Sequence, residues 1–277
     1  STATRAEDVV SSVIVTSVLA NVLFFTNTGR VFSSKAYRLP ESSRQAKGMP
    51  LINFLELRPE ERVTTMVAAR YLDPRRHLIM VTRKGIIKKV ALSAFENIRK
   101  TGLIAVNLRE DDELMGVKRV EKGDRIMVFS SYGLAIMFDE KQVRAMGRTA
   151  TGVRAIRLSK GAVVIGIDKY REDADALLVT ENGYGKRTST NEYREQNRGG
   201  KGLKAIEITK KNGKLVACQI VSEDEELLLL TGEGQAIRLE AGDISRQKRY
   251  SRGVLLMRLP ENDQIVSMAR FKVEKEE

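Results

Sequence analysis

The chain has 277 residues, 42% hydrophobic and 30% charged, and its 48 Lys plus Arg against 36 Asp plus Glu leave a net charge of +12. That excess points to a polyanionic partner, nucleic acid ahead of an anionic membrane. One cysteine (Cys218) and one histidine (His77) exclude an internal disulfide, a thiolate cluster and a His-based zinc site, and no apolar run reaches the roughly 18 residues of a membrane span.

Read from the N-terminus, DVVSSVIV at 8–15 is a lone β-compatible run, and five repeats follow it. Each opens on two apolar strands joined through a polar pair and a glycine: LFFTNTGRVF at 23–32, IMVTRKGIIKK at 79–89, MVFSSYGLAIMF at 127–138, LLVTENGYGKR at 177–187 and LLLTGEGQAIR at 228–238. The turn glycines Gly29, Gly85, Gly133, Gly183 and Gly234 offer the positive φ of a tight hairpin. A second glycine stands 17 or 19 residues further on, at Gly48, Gly102, Gly152, Gly202 and Gly253. It introduces a third strand, read as INFLEL at 52–57, LIAVNL at 103–108, VRAIRL at 153–158, LKAIEI at 203–208 and VLLMRL at 254–259. The fourth strand is RVTTMVAARY at 62–71, ELMGVKRV at 113–120, VVIGIDKY at 163–170, KLVACQIV at 214–221 and QIVSMARF at 264–271, and DVVSSVIV is one more copy of it. A four-stranded unit at this period predicts a propeller-like, all-β architecture. It forms a single domain over 1–277, with 1–15 the remnant of a first blade. Two side-by-side β domains or an open solenoid are the alternatives.

The cations recur with the repeat. Four residues before the second glycine stand Arg44, Arg148, Arg198 and Arg249; the remaining copy has Ile98, with Arg99 and Lys100 beside it. Lys47, Lys201 and Arg252 precede the glycine directly, and Arg154 and Lys204 follow it by two. Lys89, Arg187 and Arg238 lie four past the turn glycine, with Lys88 and Lys186 adjacent, and Arg144, Arg194, Arg246 and Lys248 complete the set. Equal offsets predict equal places on a perimeter, a belt of phosphate ligands for a duplex bent around it, blind to base sequence and sensitive to salt. An aromatic content of 5% argues against stacking platforms for single strands.

YREQNRGGKGLK at 193–204 is the most distinctive stretch, since Gly199 and Gly200 let the backbone approach a phosphate between Arg198 and Lys201. Its spacing is not that of a Walker A loop. Both cations are expected in an exposed loop, so replacing them with alanine should weaken DNA binding and spare the fold. Tyr132, Tyr184 and Tyr250 serve either DNA contact or strand packing. Cys218 reads as a buried small hydrophobe, His77 lacks a catalytic partner, and the acidic runs at 111–113 and 223–226 read as solvated turns. No nucleophile–base pair is visible.

RAMGRTATGVRAIRL at 144–158, NGYGKRT at 182–188 and RLPESSRQAKGMP at 38–50, with the blade pattern itself, resemble the C-terminal domain of bacterial DNA gyrase A subunits over essentially the whole chain. The resemblance implies a six-bladed β-pinwheel whose blades exchange strands, here with its first blade incomplete. It implies positive wrapping of double-stranded DNA on a basic rim, which lets gyrase introduce negative supercoils. The implied partners are DNA, the B subunit of gyrase, with which an A2B2 complex forms, together with the remainder of gyrase A. The implied place is the bacterial cytoplasm, at the nucleoid and away from membranes. No catalytic residue, metal site or cofactor is implied for this chain, ATP and magnesium belonging to other parts of the holoenzyme. The family's box heptapeptide, Gln–basic–Arg–Gly–Gly–basic–Gly, is matched at six positions by Gln196, Arg198, Gly199, Gly200, Lys201 and Gly202, with Asn197 at the seventh. Its late position marks a box-like loop, and the box proper is expected upstream of Ser1. The corresponding domain of topoisomerase IV is the nearest alternative, and a propeller-type protein scaffold is the alternative of another class.

Overall fold

The computed structural model describes residues 16–39, 54–69 and 75–271; the 8–15 run, Arg44 and Lys47 lie outside them. The first strand of each repeat becomes β1 (Asn21–Thr26), β4 (His77–Thr82), β8 (Arg125–Ser130), β12 (Asp175–Thr180) and β16 (Glu226–Thr231). These strands are covered on both faces, so they read as continuous apolar runs rather than alternations; β12, DALLVT, is buried at all six positions. The second strands, β2 (Arg30–Lys35), β5 (Ile86–Ala91), β9 (Leu134–Asp139), β13 (Tyr184–Ser189) and β17 (Ala236–Glu240), return antiparallel. The fourth-strand runs form β3 (Val63–Ala69), β7 (Leu114–Val120), β11 (Val164–Lys169), β15 (Leu215–Val221) and β19 (Ile265–Phe271), each on the free side of its own first strand.

The third strands depart from the sequence reading. They are two residues long, not six: β6 (Leu103–Ile104), β10 (Val153–Arg154), β14 (Leu203–Lys204) and β18 (Val254–Leu255). Each is donated to the second strand of the preceding repeat, β6 to β2, β10 to β5, β14 to β9 and β18 to β13. Pairing stops because the next two amides turn to the hairpin glycine. Ala205 and Ile206 both donate to the Gly133 carbonyl, at 2.8 and 3.3 Å, as Ala105 and Val106 do to Gly29 and Leu256 and Met257 do to Gly183. Ala105, Val106, Ala205 and Ile206 are buried there. The apolar alternation that reads as a long strand records packing under a turn. Of INFLEL, residues 54–57 are described and none is a strand.

Four sheets of four strands and one of three result, in the orders β3-β1-β2-β6, β10-β5-β4-β7, β11-β8-β9-β14, β15-β12-β13-β18 and β17-β16-β19. The described residues thus contain five blades rather than six, and the fifth has no donated strand on β17. They fall into two compact units: one draws on the described residues up to Glu121 and on Val143–Val153, the other on Lys122–Gln142 and the described residues from Arg154 on. In the first, Leu23, Phe25, Leu78, Met80 and Phe95 join its two sheets, with Phe25 and Phe95 edge to face at 5.8 Å. In the second, Met127, Phe129, Leu178 and Ile206 fill one core and Leu177, Leu229 and Ile265 another.

Candidate nucleic-acid interface

Four loops before a second glycine are described, ending at Gly102, Gly152, Gly202 and Gly253, and the last three dock on the second strand of the preceding repeat. In the Gly102 loop the amides of Glu96 and Gly102 bond locally instead, to the carbonyls of Ser93 and Arg99. The amides of Met146, Gln196 and Gln247 donate to the carbonyls of Lys89, Met137 and Arg187, at 2.8, 2.8 and 2.7 Å. The recurrent arginine then reaches the donated strand of the preceding repeat: Arg148 Nη1 to the Ile104 carbonyl at 3.2 Å, Arg249 Nη1 to that of Lys204 at 2.7 Å, and Arg198 Nη1 to that of Arg154. Arg198 also donates from Nε to the Gln142 carbonyl at 3.0 Å, and its amide meets Gln142 Oε1 at 2.7 Å. A third tie crosses the loop, from the amides of Asn107, Arg157 and Glu207 to the carbonyls of Ala150, Gly200 and Ser251, at 3.4, 2.8 and 3.0 Å. Arg148, Arg198 and Arg249 are half-buried anchors as well as cations.

Four of the sequence-predicted cations are buried, which corrects their assignment to the perimeter. Lys88 and Lys186 are 1% and 0% exposed, Arg187 4% and Lys89 9%. The loop of the following repeat covers the second strand, so an equal offset there marks an equal place in the interior. Lys186 Nζ donates to the carbonyls of Lys248 and Arg249 at 2.6 and 2.9 Å. Lys88 Nζ does the same to Gly147, Arg148 and Ala150, gripping its loop from below. Burial, joined by the nearby Arg148 charge, lowers the Lys88 pKa to about 8. Burial likewise brings Lys186 to about 8, with Glu192 opposing and Arg249 assisting. Under the 196–202 loop the matching residue is Ile136, and a Cβ on Gly200 would touch its side chain at 3.6 Å. Arg187 ties Asp175 at 2.6 Å, Glu223 at 3.0 Å and the Ile244 carbonyl at 2.8 Å.

The other described cations reach the surface. Arg99, Lys100, Arg144, Arg154, Arg194, Lys201, Lys204, Arg238, Arg246, Lys248 and Arg252 are exposed. Some carry partners: Arg246 meets Asp175 at 2.9 Å, Lys248 meets Glu192 at 3.3 Å, Arg252 meets Glu207 at 2.8 Å, and Arg238 pairs with Glu226. Arg238 shares the offset of buried Arg187 yet stays exposed, because no loop covers β17 among the described residues. Tyr250, 63% exposed, lies 5.0 Å from the Arg249 guanidinium. Tyr132 and Tyr184 lie near Lys214 and Lys211. Cys218 is half-buried in β15 rather than fully enclosed. Sequence reasoning missed exposed Arg157, Lys160, Lys210, Lys211 and Lys214, which follow the third strands; only Lys160 and Lys210 share an offset, eight residues past their second glycines. Among the described residues no group of three His, Cys, Asp or Glu is placed to hold a metal, and no helix is long and apolar enough to cross a membrane.

Comparison with known proteins bears on this arrangement. The family model for the DNA gyrase C-terminal domain, beta-propeller, matches residues 20–70, 76–121, 124–170, 174–222 and 225–272, one match for each repeat. The DNA gyrase A protein of Staphylococcus aureus (strain MRSA252) is 42% identical over 277 residues, 99% of this chain and 31% of that protein. The chain therefore spans about a third of that relative's length. Among solved structures, a DNA gyrase A C-terminal domain superposes with a TM-score of 0.81 at 28% identity, covering 93% of this chain and 84% of that one. The C-terminal domain of a DNA topoisomerase IV superposes at 0.84 with 22% identity, covering 93% and 80%, which shows a shared fold. With its five repeats each matched in register, the chain belongs to the DNA gyrase C-terminal domain, beta-propeller family.

Proposed function

We propose that this chain binds duplex DNA without reading its sequence and bends it over consecutive blades. Within the longer gyrase A protein that bend becomes the positive wrap by which gyrase introduces negative supercoils. The observation that carries the reading is the threefold recurrence of one arginine-anchored loop, its backbone fixed by three matching ties and exposed cations beside it. Contacts of that kind reach phosphates and not base edges. A sixth blade, with the box proper, belongs to the same proposal, as does assembly with the B subunit, through the remainder of gyrase A. The chain itself contributes no catalytic group, and ATP, magnesium and strand cleavage are assigned to other parts of the enzyme. It works in the cytoplasm, at the nucleoid.

The test is a ligation assay on nicked circular plasmid, read as linking number, beside a salt titration of duplex binding. One or two phosphates per blade should give a log–log salt slope of roughly −5 to −9. The expected result is steep salt dependence with no linking-number shift from this chain alone. A flat salt response overturns the proposal, and a positive shift extends it to wrapping by this chain alone.

A further inference from the structure

The three loops ending at Gly152, Gly202 and Gly253 share a backbone but differ in charge. Around Gly199 and Gly200 stand Arg154, Arg157, Arg198 and Lys201. The Gly199 amide donates to the Ala155 carbonyl at 2.7 Å, and the Arg157 amide donates to that of Gly200 at 2.8 Å. With the Arg198 Nη1 bond to the Arg154 carbonyl, these bonds fix the backbone of 154–157 beside two residues without side chains. At Gly199, whose φ is +83, an added Cβ would find only the Arg154 carbonyl oxygen, at 3.6 Å, so the space over the loop is open. Arg154, Arg157 and Lys201 are exposed, and none has an ion-pair partner among the described residues.

The matching positions elsewhere are weaker. In the Gly152 loop, Ile104, Asn107 and Thr151 replace Arg154, Arg157 and Lys201, leaving Arg148 alone of the four. In the Gly253 loop, Lys204, Arg249 and Arg252 are present, but Glu207 replaces Arg157 and its carboxylate takes Arg252 at 2.8 Å. One position, five residues past the second glycine, therefore supplies a neutral group, a free cation or an acid that occupies one.

We propose that this position sets how strongly each loop holds a DNA phosphate, and that Arg157 is itself a phosphate contact in the 196–202 loop. The inference rests on the duplex-binding reading above and adds to it an unequal distribution of grip among the blades. The test compares wild type, Arg157→Gln, Arg157→Lys and Glu207→Gln for binding a short mixed-sequence duplex across a salt series. Arg157→Gln should weaken binding about fivefold and reduce the magnitude of the salt slope by about 1. Arg157→Lys should restore most of the loss, and Glu207→Gln should strengthen binding by freeing Arg252. Melting temperatures should stay together, because the Arg157 backbone, not its side chain, makes the structural tie. A wild-type chain that fails to bind the duplex defeats the duplex-binding reading. Wild-type binding with Arg157→Gln or Glu207→Gln indistinguishable from it overturns the present inference.

Discussion

At the residue scale, Lys88 and Lys186 are cations spent inside the fold. Their folded pKa values, near 8, lie below the 10.5 of an exposed lysine, so between those two pH values the unfolded chain binds more protons. Stability from these two groups should therefore rise as pH climbs from about 8. Burial pushes the Tyr193 hydroxyl far above its usual range, so the unfolded state alone ionises it above pH 10, and there stability falls again. Melting curves at pH 7.5 and 9.5 should show wild type gaining a few degrees relative to Lys88→Met with Lys186→Met. Parallel shifts in both proteins would contradict this. The paired Arg198 and Lys201 separate in the same way. Lys201→Ala should leave urea unfolding unchanged and weaken DNA binding, whereas Arg198→Ala strands the carbonyls of Gln142 and Arg154 and should cost about 1–2 kcal/mol. The periodic cations were legible as a set, because charge at fixed offsets survives in the bare sequence. Which of them face inward was not, since that depends on the loop of the next repeat covering β5 and β13.

Among the elements, the hairpins were the most legible part. A polar pair, a glycine and two apolar runs fix both strands and turn, and the glycines do take positive φ. The hydroxyls of Thr26, Thr82, Ser130 and Thr231 accept the amide four residues on and close these turns. Gly133 combines φ +76 with a neighbour that cannot yield: a Cβ would stand 2.5 Å from the Ile206 carbonyl oxygen. Gly133→Val should cost about 3 kcal/mol or more, or leave the protein insoluble. Gly147, which has no heavy atom within 4 Å of an added Cβ, should accept alanine with little change. Denaturant midpoints of the two variants check the contrast. The third strands were misread in length because Ala205 and Ile206 are apolar for packing, while their amides serve the Gly133 carbonyl.

For the whole molecule, the net charge of +12 sets the scale of its attraction for a polyanion, and the buried lysines reduce how much of it meets solvent. With about five phosphates neutralised, raising salt from about 0.05 to 0.2 M should weaken duplex binding on the order of 10³-fold. A mobility-shift series read against that figure reports how many exposed cations engage. The repeat, and with it the fold class, was plain in the sequence. The direction of strand donation was not, because two-residue strands leave no periodic mark. That donation bears on how the polypeptide is made. β2 finds its outer neighbour only when Leu103–Ile104 has left the ribosome, and β13 waits for Val254–Leu255. During synthesis each blade therefore stands unfinished until part of the next has been translated, so a nascent chain always carries one unpaired edge. A ribosome stalled within the fifth repeat would hold out a fourth blade still able to accept a strand from the wrong chain.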